Sequence, residues 1–318
     1  MTKEKTYVFS NAVEADLTTL EIYFTKRKYA EDTISQYRNY AGLFLQWLAA
    51  NNATAEMVNY TLLKNFIFQL KEKKSIGQTN RILIAINHYY KSLNLGINPA
   101  SGMRLRGMDR NFKNYFVEYE TLEQLYKLYG AIDNTKRRNK VMLGLMIYQG
   151  VTSGELHQLK PKHIELSETK ILIPGSKNSN RRILKLEANQ LLEMQAYVKE
   201  IRPQMLADIE SEKVKEQPGR KPKQIDPKIY EQLFFSRGGG ANIKSSLHNM
   251  FRAIQKVYPK ITSTKVVRST VISHWLRHYD VRKVQYMAGH RYVSSTERYN
   301  AFNLQDLEES LNNYHPLK

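Results

Sequence analysis

Cysteine is missing altogether from this 318-residue chain. That excludes disulfide frameworks, thiol nucleophiles and zinc or iron–sulfur centres held by thiolates, and it agrees with a reducing, cytoplasmic setting. Long apolar runs are missing too. None approaches the roughly 20 residues that a membrane span needs, and residues 1–10 hold no apolar stretch of the signal-peptide kind. No repeat of fixed period recurs, and the first hundred residues show no strand-like alternation. Acid is scarce. Against 49 Lys and Arg stand 30 Asp and Glu, a formal charge of +19. A surplus of that size points to an anionic partner, nucleic acid first. A membrane-surface role would require a basic helix with a strongly apolar face, and none stands out. Charge alone carries neither specificity nor chemistry, so the motifs must supply both.

What is present reads as about two domains of ordinary globular composition, 42% hydrophobic and 25% charged. Four helices of 3.6-residue period fall at about 14–29, 32–50, 62–73 after a cap at Thr61, and from Ser75 until Gly96 and Pro99 stop the last. In the second, Ile34, Tyr37, Tyr40, Phe44, Trp47 and Leu48 form a stripe that reads as helix core. Then the character changes: Asn98-Pro99-Ala100-Ser101-Gly102 is followed by Arg104, Arg106, Arg110 and Lys113, a basic linker. Arg81 and Lys91 on the fourth helix are placed for phosphates, and the linker cations suit a strap along a nucleic-acid backbone.

Beyond the linker, helices are expected near 122–131 and 138–149. Two short β-runs at 170–174 and 182–186 flank the turn Gly175-Ser176-Lys177-Asn178-Ser179-Asn180, a hairpin. A helix follows to about residue 201, and the polar, Lys-rich stretch 210–228 reads as an exposed loop. Further helices fall from 243, at 263–278 and at 280–288. A last one at 303–314 places Leu304, Leu307, Leu311 and Tyr314 on one stripe.

Cutting a phosphodiester without a metal requires an in-line nucleophile, cations for the phosphorane's equatorial oxygens and an acid for the leaving 5′-oxygen. The C-terminal third holds such a set in Lys265, Arg268, His290, Arg298 and Tyr299. His274 and His278, four apart, have metal-ligand spacing, but no third ligand accompanies them and no metal site is expected.

The segment resembles the tyrosine recombinase and integrase family, phage integrase and Xer-like. The family's His-or-Lys, two residues, Arg is matched by Lys265-Val266-Val267-Arg268; its Gly-His by Ala288-Gly289-His290; and its Thr-x-x-Tyr by Thr296-Glu297-Arg298-Tyr299. A hairpin lysine is matched by Lys177, between Gly175 and Arg182-Ile183-Leu184. In the N-terminal half Thr33-Ile34, Tyr37, Phe44-Leu45, Trp47-Leu48, Thr79-Asn80-Arg81 and Asn98-Pro99-Ala100 follow the family order. His274-Trp275-Leu276-Arg277 also reads as His-x-x-Arg, but it leaves too few residues before His290 and puts the other elements out of register. Spacing favours Arg268, with His274 left to pack or to polarise near the site.

The resemblance implies a fold that is mainly α with a small antiparallel β-sheet. Residues 1–105 would be a helical core-binding domain, 106–115 a basic linker and 116–318 a catalytic domain with a C-terminal helix, forming a clamp on double-stranded DNA. It implies transesterification through a 3′-phosphotyrosyl link at Tyr299, with Arg268, Lys265 and His290 on the phosphate and Lys177 as general acid. No cofactor or metal would be needed, and a tetrameric synapse of identical chains would assemble in the cytoplasm, for a mobile element or a chromosome. One position departs. In Gln149-Gly150-Val151-Thr152-Ser153-Gly154-Glu155-Leu156 the family's first catalytic arginine is replaced by Thr152, which cannot clamp a phosphate bidentately. Another cation supplies it (Arg137, Arg138, Lys140 and Lys160 are the candidates), or the enzyme is slow, or the chain is a DNA-binding relative without cleavage. Nicking and closing of the type IB topoisomerase kind is a further alternative.

Overall fold

The computed structural model describes residues 11–94, 96–106, 116–176, 179–214 and 225–300. Lys177, Arg110, Lys113 and the stripe from Leu304 to Tyr314 lie outside the described residues. Two compact units divide the chain, Met1–Arg110 and Asn111–Lys318.

The first unit holds four helices: α1 (Asn11–Lys26), α2 (Glu31–Ala50), α3 (Tyr60–Lys73) and α4 (Ile76–Leu93). The cap of α3 is Asn59 rather than Thr61. Its Oδ1 accepts the Leu62 N–H at 2.9 Å, because the helix starts two residues earlier than its apolar pattern. A capping box opens α4: Ser75 Oγ accepts from the Gln78 N–H at 3.3 Å, and Gln78 Oε1 accepts from the Ser75 N–H at 3.2 Å. Leu17, Leu20, Phe24, Phe44, Leu48, Leu63, Phe66, Ile82 and Ile86 are buried between the helices and supply the main driving force for this unit. Tyr37, Tyr40 and Trp47 border that core, and the Trp47 indole N–H donates to Gln69 Oε1 at 2.7 Å.

After α4 the chain folds back. Asn80 holds Leu105 by both its backbone groups, its Oδ1 accepting from the Leu105 N–H at 2.8 Å and its Nδ2 donating to the Leu105 carbonyl at 3.1 Å. Met103 and Leu105 therefore pack on the core while Arg104 and Arg106 point to solvent.

The second unit contains α5 (Tyr119–Leu128), α6 (Asn134–Tyr148), α7 (Ser153–Gln158), β1 (Ile164–Glu165), β2 (Lys170–Ile173), β3 (Arg182–Lys185), α8 (Ala188–Ala196), α9 (Arg202–Val214), α10 (Lys244–Val257), α11 (Thr264–His278), α12 (Val281–Ala288) and α13 (Val293–Glu297). The sheet is antiparallel in the order β1-β2-β3, with Ile171 opposite Leu184 and Ile173 opposite Arg182. Mainly α with a small antiparallel sheet is the fold that the resemblance implies. The C-terminal half of α6 is apolar all round, with Val141 to Ile147 buried, and the helix packs on α11, whose Val266, Val267, Val271 and Ile272 are equally enclosed. A π-helical turn, Tyr197–Ile201, joins α8 to α9. The polar stretch expected to be a loop from residue 210 is helical up to Val214, because Met205 and Ile209 bury an apolar edge of α9 that anchors its end. No helix among the described residues is long and apolar enough to cross a membrane.

Candidate active site

Four chain segments converge in the second unit: the turn before α7, the β2–β3 hairpin, α11, and the run from α12 to Tyr299. Helix α12 starts on the Asp280 side chain, which accepts the Arg282 and Lys283 N–H groups at 2.9 and 3.0 Å, and it stops at Gly289, whose φ of +69° closes the helix in the left-handed region. His290 follows at once. Its Nδ1 lies 2.8 Å from Thr296 Oγ1, on a fully buried threonine. The Tyr299 N–H donates to the Thr296 carbonyl at 3.0 Å, and the His290 and Tyr299 rings lie parallel within 10°, centroids 6.1 Å apart. Thr296 thus holds both the imidazole and the turn that presents the phenol.

Arg268, half-buried on α11, donates through Nη2 to the Ala288 carbonyl at 2.6 Å and through Nη1 to the Gly150 carbonyl. It stitches the turn before α7 to the end of α12. Gly150 is required there: its φ is +58°, and a Cβ would lie 2.8 Å from the Trp275 ring. Lys265 sits one turn earlier on α11, exposed.

Thr152 has a local task. It is the N-cap of α7, its Oγ1 accepting from the Glu155 N–H at 3.2 Å and donating to Glu155 Oε2 at 3.0 Å. The carboxylate of Glu155, 2% exposed, receives the guanidinium of Arg182 at 2.6 and 3.2 Å. Burial pushes Glu155 up, but the Arg182 hydrogen bonds and charge overcome it and hold the carboxyl at about 2. His290 is pushed down to about 4 by burial first, then by the positive charges of Arg268 and Arg182. It is neutral at pH 7. Nδ1 and Thr296 Oγ1 share one hydrogen bond whose direction follows the tautomer of the ring.

The hairpin is clipped to the same place. The Asn180 N–H donates to the Gly289 carbonyl at 2.9 Å, Ser179 forms a bridge with His290, and Arg291 donates to the Ser176 carbonyl at 3.1 Å. Tyr286 of α12 exchanges hydrogen bonds with the backbone of Ile183 at 3.1 and 3.2 Å. These contacts bring the ends of the turn that carries Lys177 beside His290.

His274 stacks on Tyr119 at 3.8 Å. Among the described residues, no group of three His, Cys, Asp or Glu could hold a metal. Arg81, Lys91, Arg104 and Arg106 are exposed in the first unit. In the sequence Arg182 marks only the start of a strand. The signal beside it was the Thr-x-x-Glu spacing of Thr152 and Glu155, a capping box that places a carboxylate at this turn; nothing local revealed which cation would meet it.

The phage integrase family matches residues 118–305, well over half of the 318. A tyrosine recombinase XerD of Vibrio vulnificus is 24% identical over 304 residues, covering 93% of this chain and 93% of its own. A tyrosine recombinase XerC of Anoxybacillus flavithermus is 23% identical over 290 residues, covering 88% of this chain and 90% of its own. Among solved structures, XerH site-specific recombinase bound to palindromic difH substrate, a post-cleavage complex, has a TM-score of 0.66 at 17% identity, covering 93% of this chain and 83% of that one. The Tn1549 transposon integrase in complex with transposon right end DNA has a TM-score of 0.64 at 14% identity, covering 94% and 99%. At these identities the structural likeness concerns the fold.

Proposed function

Because the chain belongs to the phage integrase family and is an enzyme of the tyrosine recombinase class, we propose that it cleaves and rejoins double-stranded DNA through a 3′-phosphotyrosyl link at Tyr299. The support is the convergence of Arg268, His290 and Tyr299 from α11, the end of α12 and the turn after α13, with the two rings parallel and Arg268 fixed between two carbonyls. The phenol gives its proton to water as its oxygen attacks phosphorus, and the 5′-oxygen leaves with a proton from Lys177. The freed 5′-hydroxyl of a partner strand then attacks the phosphotyrosine and regenerates the phenol. Bond energy is conserved in the link, so no ATP enters. Arg268, Lys265 and neutral His290 stabilise the phosphorane oxygens.

Residues 1–105 act as the core-binding domain, with Arg81, Lys91, Arg104 and Arg106 on phosphates, joined by the linker 106–115 to the catalytic domain 116–318. Both domains bind DNA in the cytoplasm, and identical chains pair two sites in a tetrameric synapse. The test is a nicked suicide substrate built from DNA flanking the chain's own gene. Wild type is expected to form a covalent protein–DNA adduct, and Tyr299→Phe to bind the same DNA with unchanged affinity and form none. An adduct that persists in Tyr299→Phe would move the nucleophile elsewhere, and no adduct from wild type on any site that it binds would leave a DNA-binding protein.

A further inference from the structure

The 2.8 Å contact between His290 Nδ1 and Thr296 Oγ1 has two polarities, and they give the imidazole opposite chemistry. If Nδ1 carries the proton, Nε2 is a bare acceptor and a base toward the phenol. If the hydroxyl donates instead, Nε2 carries the proton and is a donor toward a phosphate oxygen.

The surroundings of Thr296 separate the two. Its side chain is fully buried in α13, and Nδ1 is the one hydrogen-bond partner of its hydroxyl among the described residues. Other helical threonines turn their hydroxyls back onto the carbonyl four residues earlier: Thr18 at 2.9 Å, Thr25 at 2.9 Å and Thr79 at 3.1 Å. Thr296 makes no such bond. Were Nδ1 the donor, the hydroxyl hydrogen would be buried without an acceptor, a state disfavoured by roughly tenfold or more in population. With the hydroxyl as donor no buried hydrogen is left unmet. Asn180 and Gln285 do not compete for the ring, because their amides donate to the His290 carbonyl at 3.4 and 3.2 Å and so fix its backbone. Nδ1 is turned inward onto the threonine, which leaves Nε2 as the nitrogen available to a substrate.

We propose that Thr296 is a positioning residue whose buried hydroxyl donates to His290 Nδ1 and fixes the imidazole in its Nε2–H form. His290 is then a hydrogen-bond donor to the phosphate and not the base that takes the phenol proton. The role on the phosphate rests on the recombinase reading above, whereas the tautomer does not. The ring stays neutral at pH 7, since burial first and then the charges of Arg268 and Arg182 depress its proton affinity. One proton is therefore placed between two nitrogens, and the hydroxyl decides where it sits. The Thr296 carbonyl adds a second constraint by accepting the Tyr299 N–H at 3.0 Å, so one residue orients the donor and the nucleophile together.

The experiment reads the tautomer directly, from the nitrogen shifts of the full-length chain labelled with 15N at histidine. A His290→Gln variant removes the His290 signals and so assigns them among the 8 histidines. Wild type at pH 7 is expected to show Nε2 protonated and Nδ1 bare. Thr296→Ser, which keeps the hydroxyl, should retain that form. Thr296→Val, which keeps the shape and deletes the hydroxyl, should populate both forms. On the suicide substrate Thr296→Val should form adduct roughly 10- to 100-fold more slowly, as when a partner that orients a functional histidine is lost. Its DNA affinity should stay that of wild type, and Thr296→Ser should cleave at close to the wild-type rate.

A wild-type ring protonated at Nδ1 would reverse the polarity and overturn the proposal. So would a folded Thr296→Val protein, checked by its melting temperature, that keeps the pure Nε2–H form. If Thr296→Val does not fold, the wild-type spectrum still decides the polarity. Should wild type form no adduct at all, the recombinase reading fails by itself, and the same spectra, recorded without DNA, still decide the role of Thr296.

Discussion

Gly289→Ala isolates the most constrained point of the site. Two costs are added there. An L-residue at φ +69° costs roughly 1–2 kcal/mol in the left-handed region. The new methyl would also lie 2.4 Å from Arg182 Nη1, and that guanidinium cannot simply recede, because Glu155 holds it in a fork on its other side. Breaking a buried ion pair costs about 3–5 kcal/mol. A loss of roughly 4–7 kcal/mol would consume much of a typical domain's stability. Urea unfolding measures it, with Trp275 as the reporter for this unit in a Trp47→Phe background. Gly154→Ala is the matched control: Gly154 is exposed on α7 with nothing within 4 Å of the added Cβ, and alanine there should gain up to about 1 kcal/mol. If Gly289→Ala loses less than about 1 kcal/mol, the guanidinium does not pack against this turn as described.

Acid should unfold the second unit in two stages. The unfolded chain binds a proton at His290 near 6.5 while the folded site resists until about 4, so stability falls as pH drops through that window. Glu155, held at about 2 against an ordinary 4.5, adds about 3 kcal/mol, present above pH 4.5 and lost as pH falls toward 2; Glu155→Gln should flatten the lower stage in pH-dependent urea titrations. Asn59→Ala should cost about 1 kcal/mol of first-unit stability and Thr61→Ala little, and equal losses in thermal melts would place the cap wrongly. DNA affinity should fall with salt at a logarithmic slope of about −0.9 per phosphate contacted. Arg104→Ala/Arg106→Ala should flatten that slope by about two units if both meet phosphates, and a slope unchanged in that variant removes them from the interface.

Local order was legible in the sequence. Helix α2, the stop at Gly289, and the spacing from Arg268 through His290 to Tyr299 all depend on residues near one another along the chain, where periodicity and capping act. The hairpin was legible for the same reason, from two β-runs around one turn. Boundaries were less so: α3 is capped by Asn59 and not Thr61, and α9 continues to Val214, because burial of Met205 and Ile209 overrides a polar composition. What only the tertiary structure decided is which charges meet. Thr152 and Glu155 are three residues apart and their capping box could be read directly, whereas Arg182 reaches that carboxylate only once β3 pairs with β2 and α12 closes over it. The distinction is physical. A cap is satisfied within one turn of backbone, but a buried guanidinium needs a desolvated partner, and its choice is fixed by the packing that excludes water from both.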